Sequence, residues 1–233
     1  MKTTSLSRRE FIRLSSMTGA ALALGYYIPA TGKAASVITV DAAENLGIEL
    51  NAFIFIDSSG KITLLNHRSE MGQGSFQVVP QMIAEELEVN LHDINVTFAP
   101  GSQTKYGSQL TGGSSTVRGA YKHLMRLGAT AREMLIEAAA RRWQVNKTEC
   151  YAENATVIHR TTGKKLTYGE LAADAARISP PKEVKLKSRS EYKIIGKPLP
   201  RKDTPLKING TAQFGLVFLL SKCTAAMICP DWQ

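Results

Sequence analysis

The chain has 233 residues and a formal net charge of +9, which bounds it to one ordinary domain or one and a part. Nearly half of that charge lies in the first 35 residues, where Lys2, Arg8, Arg9, Arg13 and Lys33 face only Glu10; the rest is spread out, with no basic stripe interleaved with aromatics, and nucleic-acid binding is not expected. Three cysteines (Cys150, Cys223, Cys229) and four scattered histidines (His67, His92, His123, His159) lack metal-ligand spacing, so neither an iron–sulfur cluster nor a metal cage of side chains is expected.

In chain order, Ser7-Arg8-Arg9-Glu10-Phe11-Ile12-Arg13 places paired arginines before a Phe-Ile step. A mild apolar run over residues 14–28 and small residues near Ala34-Ala35 complete the parts of a twin-arginine export signal over residues 1–35. The run is too short and too rich in Gly and Thr for a comfortable membrane span. A surface helix that happens to carry Arg-Arg and an uncleaved anchor are the rival readings. The expected location is periplasmic, with membrane association left open. This route carries folded proteins, which directs attention to cofactor-binding features downstream.

Residues 51–66 read as a hairpin: Ala52-Phe53-Ile54-Phe55-Ile56 and Lys61-Ile62-Thr63-Leu64-Leu65 flank the turn Asp57-Ser58-Ser59-Gly60. The first run is apolar on both faces, predicting a strand covered on each side. Glu70-Met71-Gly72-Gln73-Gly74 forms a short loop that opens a helix over residues 75–89, with Val78, Val79, Met82, Ile83 and Leu87 on its apolar face and Pro80 in its early turns. Residues 94–98 alternate as a strand. After a polar, Gly-rich passage, Ser114-Ser115 is positioned to cap a long helix over residues 116–143. A strand over 156–159, a turn at 162–165 and a capping box Thr167-Tyr168-Gly169-Glu170 opening a helix to about residue 176 make a smaller unit. The Lys- and Pro-rich stretch 182–207 reads as a solvated linker, and residues 212–228 as a last apolar stretch.

Two loops go beyond packing. Gly72, Gln73 and Gly74 stand at the start of one helix, and Thr111, Gly112, Gly113, Ser114 and Ser115 at the start of another. Glycines permit close backbone approach, and helix N-termini offer unpaired N–H groups to an anion. Neither loop fits a P-loop or the dinucleotide fingerprint. Glu70 reads as a solvated or loop-bracing carboxylate more readily than as a catalytic one, and His67 and His123 as structural or surface residues rather than bases.

Resemblance adds to this. The twin-arginine start, Glu70-Met71-Gly72-Gln73-Gly74 with Ala84-Glu85-Glu86-Leu87, the Thr111-Gly112-Gly113-Ser114-Ser115 segment, and Gly128-Ala129-Thr130-Ala131-Arg132-Glu133-Met134-Leu135 occur in order. Tyr168-Gly169-Glu170-Leu171, Ile195-Gly196-Lys197 and Arg201-Lys202-Asp203-Thr204-Pro205 with Lys207, Gly210, Ala212 and Phe214-Gly215 follow. The series resembles xanthine oxidase-type molybdenum hydroxylases, and within them the large (beta) subunits of isoquinoline 1-oxidoreductase and membrane-bound aldehyde dehydrogenases. It runs from about Ser7 to Gly215.

The resemblance implies an α+β fold: a partial molybdopterin-binding domain over residues 36–178, a linker over 179–205 and the start of an α/β hammerhead domain over 206–233. It implies molybdenum held by molybdopterin cytosine dinucleotide, and hydroxylation of N-heterocycles or oxidation of aldehydes. Its implied partners are a small [2Fe-2S] subunit, the remaining part of the large subunit and a cytochrome c subunit. Gly72, Gln73 and Gly74 would line the pterin, and residues 111–115 the pyrophosphate or dinucleotide part. The family's large subunits are several times longer, and the Gly-Glu pair near their far C-terminus that supplies the catalytic carboxylate has no counterpart in this sequence. An N-terminal piece, inactive alone, is the expectation; a non-catalytic exported cofactor-binding module and a gene remnant are the competing readings.

Overall fold

The computed structural model describes residues 48–212. The export signal, Cys223, Cys229 and most of the expected hammerhead start lie outside these residues.

Four strands form the first sheet in the order β1 (Ile48–Asn51), β2 (Ile54–Ile56), β3 (Ile62–Asn66) and β4 (Asn95–Phe98). β1 pairs antiparallel with β2, and β2 with β3, Ile54 facing Leu64 and Ile56 facing Ile62. The predicted hairpin is therefore present. Its turn is tightened by Asp57, whose carboxylate accepts from the N–H groups of Ser59 and Lys61 at 2.9 Å each. β1 is an addition to the sequence reading, joined through an irregularity between Glu49 and Asn51. Every residue of β2 and β3 is buried, as the continuous apolar pattern of the first run demands of a strand covered on both faces.

Helix α1 (Ser75–Leu87) carries the chain from β3 to β4, which run parallel with Leu64 opposite Val96. A parallel pair needs such a crossover. Val79, Met82, Ile83 and Leu87 of the predicted face are buried, and Pro80 is held inside the helix. A short helix α2 (Gln103–Tyr106) precedes α3 (Ser115–Trp143), a 29-residue helix packed along α1. The two helices meet at Gly128, where a Cβ would lie 2.4 Å from the Ile83 carbonyl oxygen. Only a glycine permits that approach.

A second sheet is the antiparallel meander β5 (Cys150–Glu153), β6 (Thr156–His159) and β7 (Lys165–Thr167). β5 and β7 were not read from the sequence; they have four and three residues, too few to show an alternating pattern. Helix α4 (Tyr168–Ala175) starts at Thr167 with both halves of the predicted capping box formed. Its Gly169 lies against the hairpin turn, where a Cβ would come 2.6 Å from the Gly60 nitrogen, docking the second unit on the first.

The stretch read as a solvated linker departs from that expectation. It lies across α1, pinned by two carboxylates that are fully buried. Glu85 accepts from the N–H groups of Lys193 (3.0 Å), Ile194 (2.7 Å) and Ile195 (2.9 Å) and from Lys187 Nζ (3.0 Å). Glu86 accepts from the Lys187 N–H (2.9 Å) and from Arg132 Nη1 of α3 (2.9 Å). The backbone needs acceptors wherever no strand supplies them, and these glutamates provide them. The strap then reaches a short helix α5 (Thr204–Ile208). Among the described residues no helix is long and apolar enough to cross a membrane.

Candidate functional site

Both glycine loops stand at helix starts, as the sequence predicts, and the fold brings them together. The Ser69 N–H, at the head of the first loop, donates to Thr111 Oγ1 of the second at 3.0 Å, across 42 residues of chain. Arg68 Nη1 donates to the Leu110 carbonyl beside it. The parallel β3–α1–β4 unit carries one loop at the C-terminal end of β3, and the other leads into the helix packed on α1.

The two helix starts differ. Gly74 is the N-cap of α1 in the left-handed region (φ 91°), and Gly72 also has positive φ (102°), so the turn needs glycine at both. The N–H groups expected to face an anion already have one. Glu70 accepts from Gly72 (2.7 Å), Gly74 (3.0 Å) and Phe76 (2.8 Å), and from Ser75 Oγ (3.2 Å). Burial pushes the Glu70 carboxyl up, but these donors outweigh it and hold it below the usual carboxylate range. Glu70 is thus the loop brace. This corrects the expectation of free N–H groups at α1.

Gln73 folds back within the loop, its Nε2 donating to the Ser69 carbonyl (2.7 Å) and its Oε1 accepting from the Met71 N–H (2.6 Å). The far end of the strap closes the arrangement. Arg201 Nη1 donates to the Gly72 carbonyl (3.0 Å), and its Nη2 pairs with Glu70 (3.2 Å) and Asp203 (2.9 Å). Lys207 holds Asp203 from the other side at 2.6 Å, and the hydrogen bonds from Arg201 and Lys207, with their charges behind them, keep the Asp203 carboxyl down at about 2 against burial. Arg201 was noted in the sequence only as part of a motif; its contact with Gly72 depends on the strap's path and has no local signal.

At α3 the N-terminus is open. Ser114 occupies the N-cap with left-handed backbone (φ 55°), its side chain makes no cap bond, and the first turn has no acidic residue. The sequence reading gave Ser114 and Ser115 a capping role. Instead, Ser115 Oγ turns back to the Gly112 carbonyl at 2.8 Å. A Cβ placed on Gly112 or Gly113 would meet nothing within 4 Å, so the space above these glycines is clear. Uncapped N–H groups, the Ser114 hydroxyl and clear space over the glycines suit a phosphate oxygen.

Behind the loops, His67 is buried. Its Nε2 accepts from Arg68 Nε at 3.0 Å, which leaves the proton on Nδ1, and Nδ1 has no partner among the described residues. Burial, with Arg68 and His123 nearby, lowers its pKa to about 4, so the ring is neutral and serves packing against Phe53 rather than proton transfer. Cys150 is buried, and burial pushes its thiol up. Among the described residues no cluster of His, Cys, Asp and Glu is arranged to hold a metal ion.

Comparison with known proteins supplies the context. The family model described as molybdopterin cofactor-binding domain matches residues 7–220. The isoquinoline 1-oxidoreductase subunit beta of Brevundimonas diminuta is 30% identical, covering 92% of this chain and 32% of that protein. The membrane-bound aldehyde dehydrogenase (pyrroloquinoline-quinone) of Gluconacetobacter polyoxogenes is 28% identical over 91% of this chain and 28% of its own length. Among solved structures, quinoline 2-oxidoreductase from Pseudomonas putida 86 overlaps 55% of this chain and 17% of that one, at 24% identity and a TM-score of 0.42. The chain spans about a third or less of the length of the curated relatives described.

Proposed function

The chain belongs to the molybdopterin cofactor-binding domain family, and from that premise we propose that it contributes the cofactor-binding loops of a molybdopterin-dependent oxidoreductase acting on N-heterocycles or aldehydes. The α+β architecture agrees with a partial domain of that family, and the cofactor supported by the family and relatives is molybdenum with molybdopterin cytosine dinucleotide. When bound, that group accepts electrons from the substrate carbon and draws the incoming oxygen from water.

The observation that carries the reading is the seam between the two loops, closed by the Ser69–Thr111 hydrogen bond, beside the open start of α3. Residues 111–115 are suited to the pyrophosphate, since their glycines leave clear space and their helix start is uncapped. Gly72, Gln73 and Gly74 present an exposed loop of fixed shape, held by Glu70 from within and by Arg201 from the strap; their role is to position the pterin side. The chain's own residues bind and orient. The activity belongs to the larger enzyme, and this chain alone is inactive in this reading.

Exposed apolar side chains support contact with further polypeptide. Met71 in the first loop, Leu110 before the second and Val117 in the first turn of α3 are all exposed, and Phe98 stacks beside Phe76 at the start of α1. The partners in this reading are the remaining part of the large subunit, a small [2Fe-2S] subunit and a cytochrome c subunit. The paired arginines support export to the periplasm by the twin-arginine route.

Gly112→Val tests the reading cleanly. Gly112 is outside the positive-φ region and a Cβ there meets nothing within 4 Å, so the variant keeps its fold while filling the space over the glycines. The expected result is loss of bound molybdenum and cytidine nucleotide from the assembled enzyme, with an unchanged melting temperature. Unchanged cofactor content would refute the placement.

A further inference from the structure

We propose that Arg68 is a diphosphate-binding residue, the cation that an anionic ligand in the seam between the two loops neutralises. The inference rests on the reading of that seam as an anion site and adds a residue to which no role has been given.

Arg68 is 6% exposed. A buried guanidinium is costly unless an opposite charge accompanies it. The buried carboxylates in this fold obey that rule: Glu85 has Lys187, Glu86 has Arg132, and Asp203 has Arg201 and Lys207. Arg68 is the exception. Among the described residues it has no carboxylate within ion-pair distance; its Nε faces the neutral His67 ring and its Nη1 a carbonyl. Those acceptors orient the fork without neutralising it, and Nη2 has no acceptor among the described residues.

Position identifies the ligand. Arg68 directly precedes Ser69, whose N–H reaches Thr111, and its guanidinium holds Leu110, the residue before Thr111. The guanidinium therefore reaches across the seam to the second loop, whose chain leads on through Thr111 to the Ser114 hydroxyl and the open start of α3. A fork of N–H donors, hydroxyls and an uncapped helix start together call for a multiply charged, oxygen-rich anion. A diphosphate, free or within a nucleotide, is that chemistry.

The test is a calorimetric titration of the full chain at low salt with inorganic pyrophosphate and, separately, with cytidine 5′-diphosphate, for wild type, Arg68→Gln and Arg68→Lys. Arg68→Gln is expected to weaken binding roughly 10- to 100-fold, with Arg68→Lys between. Tighter binding of the nucleotide than of pyrophosphate assigns the site to a nucleotide diphosphate; equal binding assigns it to the diphosphate alone. Wild-type binding with an unaffected Arg68→Gln variant overturns the role of Arg68 alone, whereas no binding by wild type removes the seam's anion reading as well.

Discussion

Replacing Gly128 by alanine tests the packing that places both loops. The new Cβ would sit 2.4 Å from the Ile83 carbonyl oxygen and 3.0 Å from Glu86 Cβ, where ordinary contacts are 3.4–4 Å. The obstacle is backbone, so α1 and α3 must part by about 1 Å, enough to forfeit a quarter to a half of the dispersion energy of each contact that opens. Overpacking of this kind costs about 1–3 kcal/mol, at the upper end here because a carbonyl cannot rotate away. Alanine returns about 1 kcal/mol of helix propensity, leaving a net loss of about 2 kcal/mol. For a chain of this size that lowers the melting temperature by about 4–8 °C. Gly119→Ala in the same helix is the control: its Cβ meets only Ser115 Cβ at 3.9 Å, so propensity dominates and the variant gains about 0.5–1 kcal/mol. Thermal melts followed by circular dichroism read both. If the two substitutions shift stability in the same direction, the inferred contact between α1 and α3 is wrong.

Two further outcomes follow from the buried charges. Burial pushes the Glu85 carboxyl up, but the N–H groups of Lys193, Ile195 and Ile194 and the Lys187 ammonium hold it below the usual range. Glu85→Ala therefore strips the strap of its acceptor and should cost about 3–5 kcal/mol, with faster hydrogen exchange at residues 193–195; exchange as slow as in wild type would show that the strap is held by something else. His67 has its pKa lowered from 6.5 to about 4, so between those values the unfolded chain takes up a proton that the folded chain refuses. Stability should fall by about 3 kcal/mol as pH drops from about 7 to 4, and His67→Gln should flatten that window in urea titrations. A slope equal to wild type would mean that His67 accepts a proton in the folded state.

Much of this molecule was legible before any coordinates. Residues 52–56 are apolar without interruption, Ile62, Leu64 and Leu65 follow the turn Asp57-Ser58-Ser59-Gly60, and a turn between two such runs has few alternatives to a hairpin. Thr167 and Glu170, three apart, fixed the start of α4 because a capping box is closed within four residues. The two glycine loops were found for the same reason, since glycines before an amphipathic run are a local signal. The short strands β5 and β7 escaped notice because they have four and three residues, too few to show an alternating pattern.

The sequence by itself therefore determined the local elements, the two loops and, through the order of its motifs, the family to which they belong. Tertiary structure alone decided that Glu70 closes the start of α1 while α3 is left open, because a carboxylate two to six residues away reaches one set of N–H groups and not the other. It decided that Glu85 and Glu86, which pattern alone would put in water, hold a strap from about a hundred residues further along. It decided that Arg68 sits beneath the seam without a counter-charge among the described residues. Helix periodicity and capping are settled within one or two turns of chain, but the partner of a buried charge is set by where distant segments meet.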